Sequence, residues 1–256
     1  MSTALITGAS NGIGLELAKR LAADGHDLIL VARRVDKLQE LADELSGQYG
    51  VNADVIGQDL GYDGGAIELV QKLGNRRVDM LINNAGFGEF GKFIDADWKR
   101  LNQMIQLNIT AVTSLAHAFA PRMAAQGGGQ ILNVASIAAF MPGPGAAVYY
   151  ASKAYVLSFS EALNYELRKQ NVTITTLCPG PTDTGFADAA NAGDTLAFKW
   201  PLLSSLDSLV DYAYASLKAR RGVAIHRWLI RFMAFGVRLL PRRLVTMISG
   251  ISNGGH

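Results

Sequence analysis

Two side chains that could move a proton lie near each other in the middle of the chain. Tyr149 precedes Lys153 by four positions, at the start of a long amphipathic segment. Residues four apart are neighbours on one face of a helix, so a phenol would lie beside an ammonium group. A phenol ordinarily has a pKa of ~10, and a nearby cation favours its anionic form. Tyr149 is therefore a candidate general acid and base, although a tyrosine four positions before a lysine is by itself a frequent coincidence.

The elements that position this pair follow a regular alternation of strands and helices. Continuous apolar segments predict strands at residues 4–6, 28–31, 51–56, 80–82, 130–134 and 173–177. Helical patterns lie between them, and the longest cover residues 98–123 and 149–169. This order predicts an α/β fold, a doubly wound and mostly parallel Rossmann-like sheet with helices on both faces. Such sheets bind ligands at the carboxyl ends of their strands, where the strand order reverses.

Composition favours one globular domain. The 256 residues are 49% hydrophobic and 18% charged with a net charge of +2, which excludes a disordered chain and argues against a nucleic-acid partner. The single cysteine, Cys178, excludes an internal disulfide and a Cys-rich site, and we expect no metal. The N-terminus is not a signal peptide and no apolar segment is long enough to span a membrane, so we expect a cytoplasmic protein. We expect a cofactor-binding and catalytic core at 1–185, and a substrate lid and basic amphipathic region at 186–256.

A glycine-rich segment follows the first predicted strand. Its spacing is Gly-x-x-x-Gly-x-Gly, which differs from the Gly-x-Gly-x-x-Gly of the common dinucleotide fingerprint. Glycines allow the backbone to approach a pyrophosphate, and a helix N-terminus supplies free N–H groups. The segment predicts dinucleotide binding by Gly8, Ser10, Asn11, Gly12, Ile13 and Gly14, with an ordinary glycine-rich turn as the alternative.

Residues after the next three strands bear on the choice of dinucleotide. Arg33 and Arg34 follow the second strand, where a carboxylate would select NAD and an arginine accommodates the 2′-phosphate of NADP. We therefore expect NADP(H), with NAD(H) as the lesser alternative because Asp36 is near; two solvated surface arginines are the other interpretation. Weaker signals follow the third and fourth strands, at Asp59, Leu60 and the segment Asn-Asn-Ala-Gly that includes Asn83, Ala85 and Gly86.

These motifs together resemble those of the short-chain dehydrogenase/reductase family, over about residues 3–185. The glycine segment, the Asn-Asn-Ala-Gly element and Tyr149-x-x-x-Lys153 all match in order. Asn108 matches an asparagine of the family's fourth helix, and Ser136 matches its catalytic serine, 13 residues before Tyr149. The family element that covers the nicotinamide is matched by Pro179, Gly180, Thr182 and Thr184. One departure is Asn11, where many NADP-preferring members carry a basic residue.

The resemblance implies a set of roles. Tyr149 exchanges a proton with the substrate oxygen, Ser136 hydrogen-bonds that oxygen, and Lys153 lowers the tyrosine pKa and holds the nicotinamide ribose. Asn108 orients a water that links Lys153 to solvent, or else satisfies backbone groups where a helix is distorted. Ser136 could also be an ordinary turn residue, and we assign Tyr150 to packing or to the substrate pocket.

The expected activity is an NADP(H)-dependent interconversion of a carbonyl and a secondary alcohol, with ketone, ketoacyl or steroid-like substrates. The alternatives are an NAD-linked alcohol dehydrogenase and a non-catalytic NADP-binding redox sensor. The resemblance also implies a homo-oligomer, a dimer or a tetramer.

The C-terminal part carries two further patterns. Aromatic residues among small ones at 186–203 predict a lid with apolar contacts. From Tyr212 onward there is no acidic residue, and Trp228, Phe232, Phe235 and Leu239 follow a helical spacing beside arginines. This basic amphipathic helix, within 225–256, could pack against the core or another subunit, dock on a membrane surface, or contact an anionic acyl carrier.

Overall fold

The computed structural model describes residues 2–182, 190 and 204–254. Thr184 and all of the expected lid except Ala190 lie outside these residues.

A seven-stranded parallel sheet forms the centre of the protein, in the order β3-β2-β1-β4-β5-β6-β7. This arrangement confirms the predicted Rossmann-like fold. The strands are β1 (Thr3–Thr7), β2 (Asp27–Ala32), β3 (Ala53–Gly57), β4 (Met80–Asn83), β5 (Gly129–Val134), β6 (Val172–Leu177) and β7 (Val223–Ala224).

Helices cover both faces of the sheet because its strands bury side chains on both sides. In β1, Ala4 and Ile6 join one apolar cluster with α1, α2 and α7, whereas Leu5 joins another with α3, α5 and α6. Strands buried on both faces have the continuous apolar sequences seen here. The described helices are α1 (Gly12–Ala23), α2 (Val35–Tyr49), α3 (Gly65–Leu73), α4 (Trp98–Ile105), α5 (Val112–Ala125), α6 (Ala147–Leu167), α7 (Leu206–Lys218), α8 (Trp228–Gly236) and α9 (Arg242–Ser252).

Two elements differ from the sequence-based prediction. The long helix expected at 98–123 is divided by a π-helical turn, Gln106–Ala111, between α4 and α5. The strand β7 was missed because it has only two residues, too few to show an apolar period. No helix in the described ranges is long and apolar enough to cross a membrane.

The strand order reverses between β1 and β4, and their carboxyl ends are joined by one buried hydroxyl group. The Thr7 Oγ1 atom donates to the Ile82 carbonyl at 3.2 Å. It also accepts from the backbone N–H groups of Asn84 and Ala85, each at 3.1 Å. The side-chain amide of Asn84 in turn donates to the carbonyls of Thr7 and Gly8. The loops that follow β1 and β4 are therefore fixed to each other at the reversal point.

Thr7→Val tests this junction, because valine has nearly the same shape and removes the acceptor of two N–H groups. We expect a loss of about 2 kcal/mol or more in the free energy of unfolding, measured with urea. Thr175→Val is the matched control. Thr175 is equally buried on β6, but its hydroxyl has no hydrogen-bond partner among the described residues. That control should be neutral or stabilising, and equal losses in the two variants would contradict the proposed importance of the Thr7 bonds.

Candidate active site

A cleft of about 320 Å3 lies at the carboxyl ends of the central strands. Its floor is formed by the loops after β1, β4, β5 and β6, as expected for a sheet whose order reverses. The side chains of Ser136, Tyr149, Tyr150 and Lys153 line it together with the glycine segment.

The glycine segment has the geometry that close approach of a ligand requires. Gly8 and Gly12 have φ of +67° and +56°, a region that favours glycine. A Cβ atom on Gly14 would lie 2.5 Å from the Gly8 carbonyl oxygen, so no larger residue fits without displacing the backbone. Asn11 caps the first turn of α1 through its side-chain oxygen, and the N-terminus of that helix faces the cleft. The segment is suited to bind an anionic phosphate group.

The Asn-Asn-Ala-Gly element is divided between the cleft and the core. Asn83, which we predicted as a cofactor contact, is buried in β4, and its side-chain amide donates to Asn133 at 2.9 Å. The Asn83 side chain thus pairs with its neighbour in register on β5 and is not among the groups that line the cleft, so a cofactor contact by this residue stays a prediction. Asn84, which we did not predict, lines the cleft with Ala85 and Gly86.

Arg33 and Arg34 are both exposed at the end of β2. The guanidinium of Arg34 donates to the hydroxyl and carbonyl oxygens of Ser10, at 3.2 and 3.4 Å. This contact holds a positive charge against the glycine segment, where the 2′-phosphate of a dinucleotide could be received.

The two residues predicted after β3, Asp59 and Leu60, are less exposed than Arg33 and Arg34. Asp59 accepts a hydrogen bond from the Gly61 N–H at 2.8 Å. Leu60 is buried in the core cluster of α3 and α5, so its side chain packs rather than lining the cleft. The segment after β6, predicted to cover the nicotinamide, contributes three lining residues to the cleft: Pro179, Gly180 and Thr182.

Ser136 and Tyr149 are brought together from β5 and α6. Ser136 begins a 3₁₀ turn, Ile137–Phe140, and its hydroxyl accepts from the Ala138 N–H at 3.1 Å. Since that bond uses an oxygen lone pair, the hydroxyl hydrogen is available to other groups. Ser136 and the Tyr149 phenol are hydrogen bonded. The Ser136 and Tyr149 hydroxyl groups therefore lie together beside the apolar cluster to which the Tyr149 ring belongs.

Burial dominates the protonation of Tyr149. It raises the pKa of the phenol to about 12, against a lowering contribution from the bond with Ser136 and a small raising one from Tyr150. Lys153 is not among the groups that set this pKa here, and the lowering expected from it stays a prediction. The Lys153 Nζ atom lies 5.9 Å from the centre of the Tyr149 ring and donates instead to the Val134 carbonyl at 2.9 Å.

Lys153 is itself an unusual group, because its ammonium is buried with 5% of the residue exposed. Burial lowers the pKa of Lys153 to about 8, since the charged form loses hydration that one carbonyl does not replace. Gly86 adjoins it, and a Cβ there would lie 3.3 Å from Nζ. A side chain at position 86 would therefore crowd the ammonium.

Asn108 lies in the π-helical turn and is fully engaged. Its oxygen accepts from the Phe87 N–H, and its amide donates to the Phe87 carbonyl and to the Ser152 hydroxyl. The side chain therefore connects the loop after β4 to α6, as in the interpretation that it satisfies backbone groups at a distorted helix. The water link through Asn108 stays a prediction.

Tyr150 has a partner that sequence reasoning missed. Its hydroxyl donates to the Asn253 side-chain oxygen at 3.0 Å, and the Asn253 amide donates to the Pro144 carbonyl at 3.0 Å. Asn253 follows α9, is buried and lines the cleft. No local pattern around residue 253 indicates this contact, because the two partners are a hundred residues apart in sequence.

Comparisons with known proteins agree with this geometry. The family model described as short chain dehydrogenase matches residues 2–195. Sulfoacetaldehyde reductase 2 of Chromohalobacter salexigens is 37% identical over 200 residues, 75% of this chain and 77% of that protein.

Two solved structures are also similar. A short-chain dehydrogenase from Sphingobium yanoikuyae in complex with NADPH has a TM-score of 0.84 and 36% identity, covering 93% of this chain and 94% of the other. The bulky-bulky ketone specific alcohol dehydrogenase from Comamonas testosteroni has a TM-score of 0.80 and 33% identity, covering 93% and 92%.

Lys153→Met tests the cost of the buried ammonium. Its pKa is about 8 in the folded protein and ordinarily 10.5, so charge on Lys153 opposes folding fully below pH 8, and this penalty disappears as the pH rises toward 10.5. Allowing for the lost bond to Val134, we expect the variant to be more stable by about 2 kcal/mol at pH 7, with a smaller gain at pH 10. Urea unfolding at both pH values measures this, with exposed Lys169→Met as the control. A destabilised variant at pH 7 would contradict the assigned cause.

Proposed function

This chain belongs to the short-chain dehydrogenase/reductase family of oxidoreductases, which act on carbonyl and alcohol groups, and we propose that it uses NADP(H) to interconvert an apolar ketone and its secondary alcohol. The observation that carries the proposal is the convergence of Ser136, Tyr149 and Lys153 in one cleft with the glycine segment. A cytoplasmic location and a homo-oligomeric state remain predictions.

In the proposed mechanism, Tyr149 manages the proton. A pKa of about 12 keeps the phenol protonated at neutral pH, which is the form that reduction of a carbonyl requires. Tyr149 donates this proton to the substrate oxygen in reduction and accepts one in oxidation. Ser136 donates a hydrogen bond to the same oxygen and stabilises the charge that develops there. Both groups are already adjacent, so substrate binding needs no rearrangement to bring them together.

The glycine segment and the buried lysine fit a dinucleotide. The N–H groups at the start of α1 are suited to the pyrophosphate, and Lys153 Nζ, beside Gly86, is suited to a ribose hydroxyl. The nicotinamide supplies or accepts the hydride when it is bound. Arg33 and Arg34 support NADP(H) over NAD(H), since they place positive charge at the end of β2 and no acidic residue stands at position 32.

The cleft walls support an apolar substrate. Aromatic and aliphatic side chains dominate them, including Phe87, Phe90 and Ile137. Lys153 is the one charged residue among the described residues that line the cleft. Because Lys153 is assigned to the ribose, an anionic substrate would find no further positive charge among these lining residues, whereas a ketone with apolar substituents would bury its surface against the walls.

Tyr149→Phe removes the proton and keeps the ring. We expect NADPH binding to be retained and turnover of an apolar ketone to fall at least about 10²-fold. Stopped-flow oxidation of NADPH measures turnover, and NADPH fluorescence titration measures binding. Tyr150→Phe is the matched control at the adjacent position, and its turnover should stay within a few-fold of that of the unmodified protein. Full activity of Tyr149→Phe would show that Tyr149 is not the group that donates the proton.

Arg33→Ala together with Arg34→Ala tests the cofactor preference. We expect kcat/KM for NADPH to fall about tenfold or more while that for NADH changes little, because a charged contact to the 2′-phosphate is lost. The exposed Lys37→Ala serves as the control on the same segment. A clear preference of the unmodified protein for NADH would contradict the arginine argument.

The non-catalytic redox sensor is a second candidate from another class. A sensor requires the cofactor site but does not require the catalytic side chains Ser136, Tyr149 and Lys153. A carbonyl panel assayed with NADPH and NADH separates the two, since no turnover of any compound combined with tight NADPH binding would favour the sensor.

A further inference from the structure

Two helices near the C-terminus present an apolar surface to solvent. Trp228 of α8 and Leu239 after it are 78% and 73% exposed. We call this surface the α8–α9 face; it comprises the exposed side chains of Trp228, Phe232, Phe235, Leu239, Leu240, Leu244, Met247, Ile248 and Ile251. Monomeric soluble proteins rarely expose so many large apolar side chains in one short segment, and such surfaces mark interaction sites.

An ordinary surface helix turns its large apolar residues toward the protein, whereas α8 and α9 turn theirs toward solvent. The helix α8 buries Ile230 and Ala234 against the protein, and α9 buries Val245 and Ser249. The buried residues are four apart in each case, so each helix contacts the body along one narrow stripe. The larger apolar residues point outward. One of the sequence-based interpretations is therefore wrong: the core of the same chain does not cover the stripe of Trp228, Phe232, Phe235 and Leu239.

Positive charge surrounds this face. Arg231 and Arg238 of the α8 region and Arg242 and Arg243 at the start of α9 are exposed. Arg231 donates to the Tyr212 hydroxyl, but Arg242 and Arg243 form no ion pair within the part of the chain that the structure describes. No acidic residue occurs after Asp211 in the sequence. A wide apolar face bordered by arginines is the arrangement of helices that lie in the interface of an anionic membrane.

We propose that the α8–α9 face docks on the surface of an anionic lipid bilayer. The charge decides between this and a second copy of the chain. Two copies joined through this face would bring their arginines together with no acidic residue of α8 or α9 to neutralise them. A bilayer with anionic headgroups complements both features, because headgroups pair with the arginines and acyl chains receive the aromatic and aliphatic side chains.

The docked helices also adjoin the catalytic cleft. The Ile230 side chain packs on Gly180, where a Cβ would lie 2.5 Å from its Cδ1 atom, and Gly180 lines the cleft. At the other end, Asn253 follows α9 and binds Tyr150, next to Tyr149. A substrate dissolved in the bilayer could therefore reach the cleft along these helices. This consequence rests on the proposed function, whereas docking itself does not.

Flotation of the full-length protein with vesicles tests the docking without any turnover. We expect it to float with vesicles containing phosphatidylglycerol in phosphatidylcholine and much less with phosphatidylcholine alone, with binding falling as salt rises. Trp228→Ser with Phe232→Ser should reduce flotation at least tenfold. Ile67→Ser with Tyr165→Ser removes exposed apolar residues from α3 and α6 and should leave it unchanged.

A charge-reversal pair tests the electrostatic part. Arg242→Glu with Arg243→Glu should reduce binding to the anionic vesicles at least tenfold at about 0.1 M salt. Lys37→Glu with Lys169→Glu makes the same change in net charge elsewhere and should retain binding. Equal losses in both variants would show a non-specific effect of net charge and overturn the proposal.

Two further outcomes would also overturn it. The first is no flotation of the unmodified protein with either vesicle. The second combines two results: the unmodified protein does not bind vesicles, and sedimentation without lipid shows that Trp228→Ser with Phe232→Ser converts an oligomer to a monomer. The α8–α9 face would then join subunits. Circular dichroism confirms that each variant is folded, and NADPH titration provides a binding control independent of catalysis.

Discussion

The hydroxyl group of Thr7 fixes the point on which the cleft depends. From the end of β1 it binds three backbone groups at and just after the end of β4, where the sheet order reverses. The glycine segment follows β1 on one side of this point, and the loop that contains Asn84 follows β4 on the other side. Parallel strands offer no direct hydrogen bonds beyond their ends, so a side chain has to hold the diverging loops. The position of the glycine segment relative to Lys153 follows from this junction.

Much of the fold and of the chemical site could be predicted from sequence because the signals are local. The apolar strands and the order of the helices come from periodicity, and Tyr149 and Lys153 come from a spacing that a helix converts into proximity. Asn83 shows the limit of this reasoning. A bare Asn-Asn pair does not reveal which amide lines a cleft. Asn83 ends β4 and bonds to Asn133 on β5, whereas Asn84 follows the strand and lines the cleft.

Other properties depend on the environment that the complete fold creates, which no short segment encodes. The pKa of Tyr149 is raised because burial outweighs the hydrogen bond with Ser136, while the Lys153 ammonium is directed to the Val134 carbonyl. The stripe on α8 has the same period whether it is buried or exposed, so the pattern alone could not show that it faces solvent. The bond from Tyr150 to Asn253 joins distant parts of the chain, and only tertiary packing brings them together.

The buried ammonium of Lys153 has a consequence for how such a chain changes over generations. Mutations that remove a charged group from an apolar interior tend to make the folded state easier to maintain. If selection for the reaction were relaxed in a descendant, drift would thus favour loss of the lysine while the sheet and the glycine segment stayed intact. A relative that keeps the whole scaffold but has an apolar residue at position 153 would be the expected relic of an abandoned chemistry.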